Sequence, residues 1–168
     1  MGRYVLATFS LAALLLVSGG AAASAPALGS ASFGGYPNLL INQSSRSLYV
    51  LSVERGPHIR CTSHACLSIW PPMLVPKSVR SVSLGAGVKG RIGFIARSKT
   101  MKQVTFNSYP LYTYAGDTGP KQTHGQGIAA DGGTWHLVRA TATTPAQTFA
   151  APVHPSTTTT KGSGGYGY

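Results

Sequence analysis

The chain has 168 residues, of which fourteen are Lys or Arg and three are Asp or Glu, for a formal charge of +11. Such a surface attracts polyanions; for an exported chain these are anionic lipids, wall polymers or acidic polysaccharides, and nucleic acid is not expected. No stretch beyond the N-terminus is apolar and long enough to cross a bilayer, so no transmembrane segment is expected in the mature chain.

In chain order, Arg3 precedes an apolar run from Tyr4 to Val17, followed by Gly19, Gly20 and the small residues Ala21 to Ala25. This is the pattern of a secretory signal, assigned to residues 1–23, with cleavage between Ala23 and Ala27. No Cys follows the run to accept a lipid anchor. Residues 24–37 are small and rich in Gly and Ala, and read as a linker.

Residues 38–140 read as one strand-rich domain. Short runs rich in Val, Ile, Thr, Tyr or Phe, bounded by turn residues, predict strands at Ser47–Val53, Val79–Leu84, Arg91–Arg97, Met101–Asn107, Leu111–Ala115 and Thr134–Arg139. One or two helical turns are expected around Ala65–Trp70. Residues 141–168 are rich in Thr, Ala and Pro and then in Gly, Ser and Tyr. They offer too little apolar surface to offset ordering and read as a disordered tail.

The strongest pattern is an internal repeat. Leu48-Tyr49-Val50-Leu51-Ser52-Val53-Glu54 aligns with Leu111-Tyr112-Thr113-Tyr114-Ala115-Gly116-Asp117 at an offset of 63 residues. Trp70 and Trp135, the only tryptophans, follow at similar distances. Alternation puts Tyr49, Leu51 and Val53 on one face, and Tyr112 and Tyr114 likewise. Each repeat thus supplies an aromatic strand, an acidic turn and a returning Trp. Neither closes a core alone. The fold expected is mainly β, a small domain of two related pseudo-repeats with a short helical turn near the Cys pair. Both tryptophans are expected in its core, where they bury large areas.

These residues carry a resemblance. Tyr112-Thr113-Tyr114-Ala115-Gly116-Asp117 fits a Tyr-x-aromatic-x-x-Asp motif. Gln103 to Asn107, Tyr109-Pro110, Gly125-Gln126-Gly127 and Trp135 stand around it, and Cys61, Cys66 and Trp70-Pro71-Pro72 lie upstream. Over Ser47 to Val138 the chain resembles the bacterial secreted-repeat, or predicted-lipoprotein, family that this motif defines. The resemblance implies a small exported or lipid-anchored protein and supplies no chemistry. The first copy departs from the motif, with Leu51 at the aromatic position and Glu54 at the Asp.

Cys61 and Cys66 are the only cysteines. In an exported chain they read as a short-loop disulfide. The alternative is an extracytoplasmic metal-binding or redox protein using Cys61, His64 and Cys66, in which a soft metal ion would take His58 or His124 as a fourth ligand. Glu54 and Asp117 occupy equivalent turns; they read as acceptors of backbone N–H groups, against a paired-carboxylate hydrolytic site. Gly85-Ala86-Gly87-Val88-Lys89-Gly90 fits a dinucleotide-binding pattern in letters only, because no helix follows it; it reads as a loop. His136 is expected to face solvent opposite Trp135.

No nucleophile, base and acid fall at a catalytic spacing. The chain is therefore read as a non-enzymatic, extracytoplasmic module without a cofactor. Its expected partners are anionic cell-envelope polymers or a lipid surface. Ten of its basic residues lie between Arg46 and Lys102, with only Glu54 to offset them there.

Overall fold

The structure, a computed structural model, describes residue 1 and residues 27–153. Among these the strands are β1 (Ala27–Phe33), β2 (Tyr36–Asn42), β3 (Tyr49–Leu51), β4 (Leu74–Pro76), β5 (Ser83–Leu84), β6 (Ile92–Ala96), β7 (Met101–Phe106), β8 (Tyr109–Pro110), β9 (Ala129–Ala130) and β10 (Gly133–Leu137). One helix, α1 (His64–Ile69), follows the first Cys; Ser63 caps it by accepting from Cys66 N–H at 3.2 Å. A 3-10 turn spans Pro145–Gln147. The mainly β expectation and the short helical turn beside the Cys pair both hold.

Three two-residue turns join consecutive strands. Gly34 and Gly35 join β1 to β2, Asn107 and Ser108 join β7 to β8, and Asp131 and Gly132 join β9 to β10. All six residues have φ between 50° and 81°. Left-handed conformation at both central positions gives the turn whose twist matches that of paired strands.

The strands form three small sheets, ordered β2–β1–β5, β3–β10–β9 and β4–β7–β6, with β8 also on β7. An approximate two-fold relation organises them. Tyr49 N–H donates to the Tyr112 carbonyl at 2.8 Å, and Tyr112 N–H returns the bond at 2.9 Å. These residues are repeat equivalents, and a reciprocal antiparallel pair has a local two-fold at its centre.

Bonds further out obey the same relation. Leu40 N–H to Val138 (2.8 Å) matches Val104 N–H to Met73 (2.9 Å), and Leu48 N–H to Leu40 (3.1 Å) matches Leu111 N–H to Val104 (3.0 Å). The repeats also exchange strands. The Trp135 segment of the second pairs with β3 of the first, and the segment after Trp70 pairs with Tyr112 and β7 of the second. Each half is therefore completed by the other.

The central strands bury both faces. Leu48, Val50 and Leu111 join an aliphatic cluster with Leu40, Val104, Phe106 and Val138. Tyr49, Leu51 and Tyr112 join an aromatic cluster with both tryptophans and both cysteines. Trp70 and Trp135, both fully buried, stack at 3.9 Å with 8° between planes. Tyr49 meets Trp70 edge-on at 5.5 Å, and Tyr112 meets Trp135 edge-on at 5.1 Å.

Several sequence expectations are corrected. The stretch read as a linker, 24–37, contributes all of β1 and the start of β2 from residue 27 onward. Its small residues pair well with β2, and Leu28 is buried in the aliphatic core, so tertiary burial outweighs weak local propensity. The stretch read as a disordered tail is folded as far as residue 153. Ala142, Thr148 and Ala150 are buried, and Asn107 Nδ2 donates to the carbonyls of Ala142 and Thr144 and to Thr148 Oγ1 at 3.1–3.3 Å.

Leu111–Ala115 is not a strand beyond the two isolated bridges of Tyr112, to Tyr49 and to Pro72, because the chain turns at Ala115 and Gly116. Val79–Leu84 shrinks to β5, and β3 stops at Leu51, leaving Val53 exposed. The signal assigned to 1–23 and the tail beyond 153 lie outside the described residues.

Candidate functional site

Two acid–tyrosine nodes flank the local two-fold, and each joins residues of both repeats. In the first, the Tyr49 hydroxyl donates to Asp117 Oδ2 at 2.7 Å and accepts from Gly125 N–H at 3.3 Å. Asp117 Oδ1 accepts from His124 N–H at 3.0 Å, and His124 Nδ1 stands 3.3 Å from the same oxygen. A Cβ on Gly125 would come within 2.9 Å of both Trp70 and Tyr49, so only glycine brings that N–H to the hydroxyl. Arg46 Nη2 donates to the Asp117 carbonyl. Burial raises the ionisation of the Tyr49 hydroxyl far above its ordinary 10.0, and the Asp117 carboxylate adds to the shift.

In the second node, Glu54 Oε1 accepts from the N–H groups of Arg60 and Cys61, both at 2.7 Å. The bond from Cys61 N–H is the repeat counterpart of the bond from His124 N–H. Gln103 Nε2 donates to the Leu111 carbonyl at 2.8 Å. The Tyr112 hydroxyl, Glu54 Oε2 and Gln103 Oε1 are buried without a direct hydrogen-bond partner. Burial, then the Glu54 charge, raises the Tyr112 hydroxyl as well.

Glu54 and Asp117, read as acceptors within their own turns, instead hold the loops six and seven residues further on, Glu54 through two backbone N–H groups and Asp117 through one, from deep burial at 0% and 1% exposure. The arrangement is structural in its chemistry. A general acid or base needs reach to a substrate proton, and both carboxylates are shut away beneath the chains they hold. Tyr114, the motif's second aromatic, is half-buried at 4.6 Å from the Trp70 ring, and its counterpart Leu51 lies opposite Trp135 in the ladder.

Cys61 and Cys66 are joined in a disulfide. With both sulfurs bonded to each other, neither is available as a thiolate, so the Cys61, His64 and Cys66 metal reading does not apply to this form. His64 is exposed at the start of α1. Among the described residues, no group of three His, Cys, Asp or Glu side chains gathers as metal ligands would. His136, expected to face solvent, is half-buried against the Phe149 ring at 4.5 Å, and burial lowers its pKa below the ordinary 6.5. The Gly85–Gly90 stretch is a loop, in which Gly90 packs so closely on Phe106 that any Cβ would collide with its ring.

The surface is the remaining candidate. Lys77 N–H donates to the Thr100 carbonyl, which brings Lys77 to the turn carrying Lys99, next to Arg97 and Lys102 at one end of the β4–β7–β6 sheet. Lys102 Nζ lies 3.8 Å from the centre of the Phe94 ring. Arg97 donates to the Cys61 carbonyl at 3.1 Å. Arg91 stands at the other end of β6, about 20 Å away at strand rise.

Glu54 and Asp117 are buried, so Asp131 is the one exposed carboxylate among the described residues; it accepts from Trp135 Nε1 at 3.2 Å. Sequence reasoning found the basic excess but had no signal for this loss of surface acid. Among the described residues, no helix is long and apolar enough to cross a membrane.

No curated protein and no solved structure matches the chain. Residues 93–139, which carry Tyr112, Tyr114, Asp117 and Trp135, match the family model of the Lipoprotein_15 family, a secreted repeat of unknown function.

Proposed function

We propose that the domain is a non-enzymatic module of the cell envelope or extracellular space that associates with anionic envelope material through its surface. The secreted-repeat match and the Cys61–Cys66 disulfide fit an extracytoplasmic setting. The observation that carries the binding proposal is the fate of the carboxylates. Two of the three are taken inside as backbone acceptors, so the exposed basic residues, the majority of those described, face solvent almost without local compensation. A field of one sign draws polyanions and is screened over about 8 Å at physiological salt.

The test compares association of the mature chain with zwitterionic vesicles, anionic vesicles and an anionic wall polymer, at low and high salt. Anionic material should bind at low salt and be released at high salt. A chain ending at Val153 should keep this behaviour, and reversal of Lys77, Lys99 and Lys102 to Glu should weaken it. Equal association with neutral vesicles, or none lost at high salt, rejects the electrostatic account.

A further inference from the structure

β6 is the outer strand of the β4–β7–β6 sheet. Its register shows where its backbone groups point. Asn107 N–H donates to the Arg91 carbonyl at 2.8 Å, and Arg97 N–H to the Met101 carbonyl at 3.1 Å. Hydrogen-bonded pairs alternate along an antiparallel ladder. Gly93 and Ile95 therefore also face β7, while Ile92, Phe94 and Ala96 turn their N–H and C=O groups outward. The residue opposite Phe94 agrees: Val104 gives its N–H to Met73 at 2.9 Å and its C=O to Leu111 at 3.0 Å. Among the described residues no strand lies along this outward row. The strand itself carries no charge, and Ala96 is exposed while its other four residues are half-buried.

The other half of the molecule shows what such an edge accepts. β1 is the counterpart of β6: Leu28 lies opposite Asn42 as Ile92 lies opposite Phe106, and Gly29 opposite Ile41 as Gly93 opposite Thr105. The β1 edge is covered. β5 runs parallel to it, Ala27 beside Ser83 and Leu28 beside Leu84, and Gly85 N–H donates to the Leu28 carbonyl at 2.8 Å. The matching positions of the second repeat, Thr148 to Ala150, are engaged elsewhere. The Thr148 carbonyl accepts from Arg139 at 2.7 Å, Phe149 bridges to Val138, and Ala150 N–H donates to Leu137 at 2.9 Å. Half of the fold supplies its own covering strand, and the other half leaves the place open.

We propose that the β6 edge is a docking site for an extended segment of a partner protein with acidic residues at both ends, added as a further strand along Ile92–Ala96. An unpaired apolar edge is a template for such addition. Arg91, exposed, and Arg97, half-buried, flank the strand and set the charge of the segment's ends. A second copy fits poorly, because antiparallel self-pairing about Phe94 would place Arg91 against Arg97 of the other copy at both ends. The chain's own residues beyond 153 bring Lys161 and no acid. A cleft of about 570 Å³ bordered by Arg91, Ile92 and Pro145 opens at one end of the edge, and one of about 460 Å³ bordered by Leu74, Ala96 and Arg97 at the other. Both offer room for the segment's side chains.

The experiment uses the full mature chain and two synthetic peptides of alternating Val and Thr, one ending in Asp at both termini and one in Lys. Binding is read by fluorescence polarisation and by amide hydrogen exchange. The Asp-ended peptide should bind at least about tenfold more tightly than the Lys-ended one. It should newly protect the amides of Ile92, Phe94 and Ala96, whereas Gly93 and Ile95 are protected beforehand.

Ala96→Pro removes one outward donor without touching a bond to β7 and should weaken binding by about tenfold, since proline is tolerated on the open side of an edge strand. Arg91→Glu, on an exposed flank, should shift preference toward the Lys-ended peptide and carries the test if Ala96→Pro disturbs folding. Equal binding of the two peptides, or no new protection at the three amides, overturns the proposal. So does protection before peptide is added, whether it depends on protein concentration, as a second copy requires, or vanishes in a chain ending at Val153, as self-covering requires. Failure of the vesicle and polymer test leaves this readout untouched, because it follows the amides of one strand.

Discussion

Tyr49 and Tyr112 occupy the same place in the two halves, and the acids beside them differ by one methylene. Asp117 is short enough to keep one oxygen for His124 N–H and give the other to Tyr49. Glu54 reaches further, places one oxygen on two backbone N–H groups of the Cys61 loop, and leaves the other unbonded beside Tyr112. The loops these acids hold are also locked differently. In the first half Cys61 is tied covalently to Cys66; at the matching position of the second, His124 lies against Asp117. A duplicated frame can thus keep its backbone relation while the side chains that secure it diverge.

The largest expected effect probes what the halves share. Trp70→Ala and Trp135→Ala should each cost about 3–5 kcal/mol in denaturant unfolding, the range for deleting a large core aromatic. Because the rings stack, the double variant should cost less than the sum of the singles. Additive losses would show that the stack is not a coupled unit.

Next comes the covalent lock. Reducing the disulfide should cost roughly 2 kcal/mol for so short a loop. His124→Ala should cost no more than about 1 kcal/mol, because its ring is largely solvated. Comparable losses would make the two locks equivalent and erase the contrast.

The hydroxyls sharpen the comparison further. Tyr49→Phe leaves Asp117 Oδ2 without its donor and should cost about 1–2 kcal/mol. Tyr112→Phe removes a buried hydroxyl that has no direct partner and should change stability by less than about 0.5 kcal/mol. Both hydroxyls ionise less readily in the fold than in the unfolded chain. Their contribution is therefore complete below pH 10 and lost as the pH rises above it. Ultraviolet titration should show two tyrosines that ionise only when the protein unfolds in alkali.

The smallest effect belongs to His136, which lacks a titrating counterpart in the first half. Burial lowers its pKa, so the unfolded chain binds a proton more readily. Its contribution is present above pH 6.5 and is lost as the pH falls, and His136→Gln should flatten stability between pH 7 and 5.

Much of this was legible. The 63-residue offset, the paired tryptophans and the acid after each aromatic strand all appear in the sequence, because each is a local pattern of residue type and spacing. Gly34-Gly35 was not legible as a hairpin turn, because the small residues around it read as a linker. Their strand character comes from Leu28 reaching a core that no local window contains. Phe149 and Ala150 were hidden for the same reason: a Thr- and Pro-rich stretch becomes ordered because Leu137 and Val138 offer it an edge.

By itself the sequence determined the β-rich character, the duplication and the excess of positive charge, since these follow from residue type, alternation and composition. Only the tertiary structure decided that the repeats exchange strands, that Tyr49 meets the acid of the other repeat, and that two of three carboxylates leave the surface. It also decided that one edge is covered while its counterpart stays open. Each of these depends on which distant segments meet, and that choice is made by the combined burial of both repeats, to which no single stretch of chain has access.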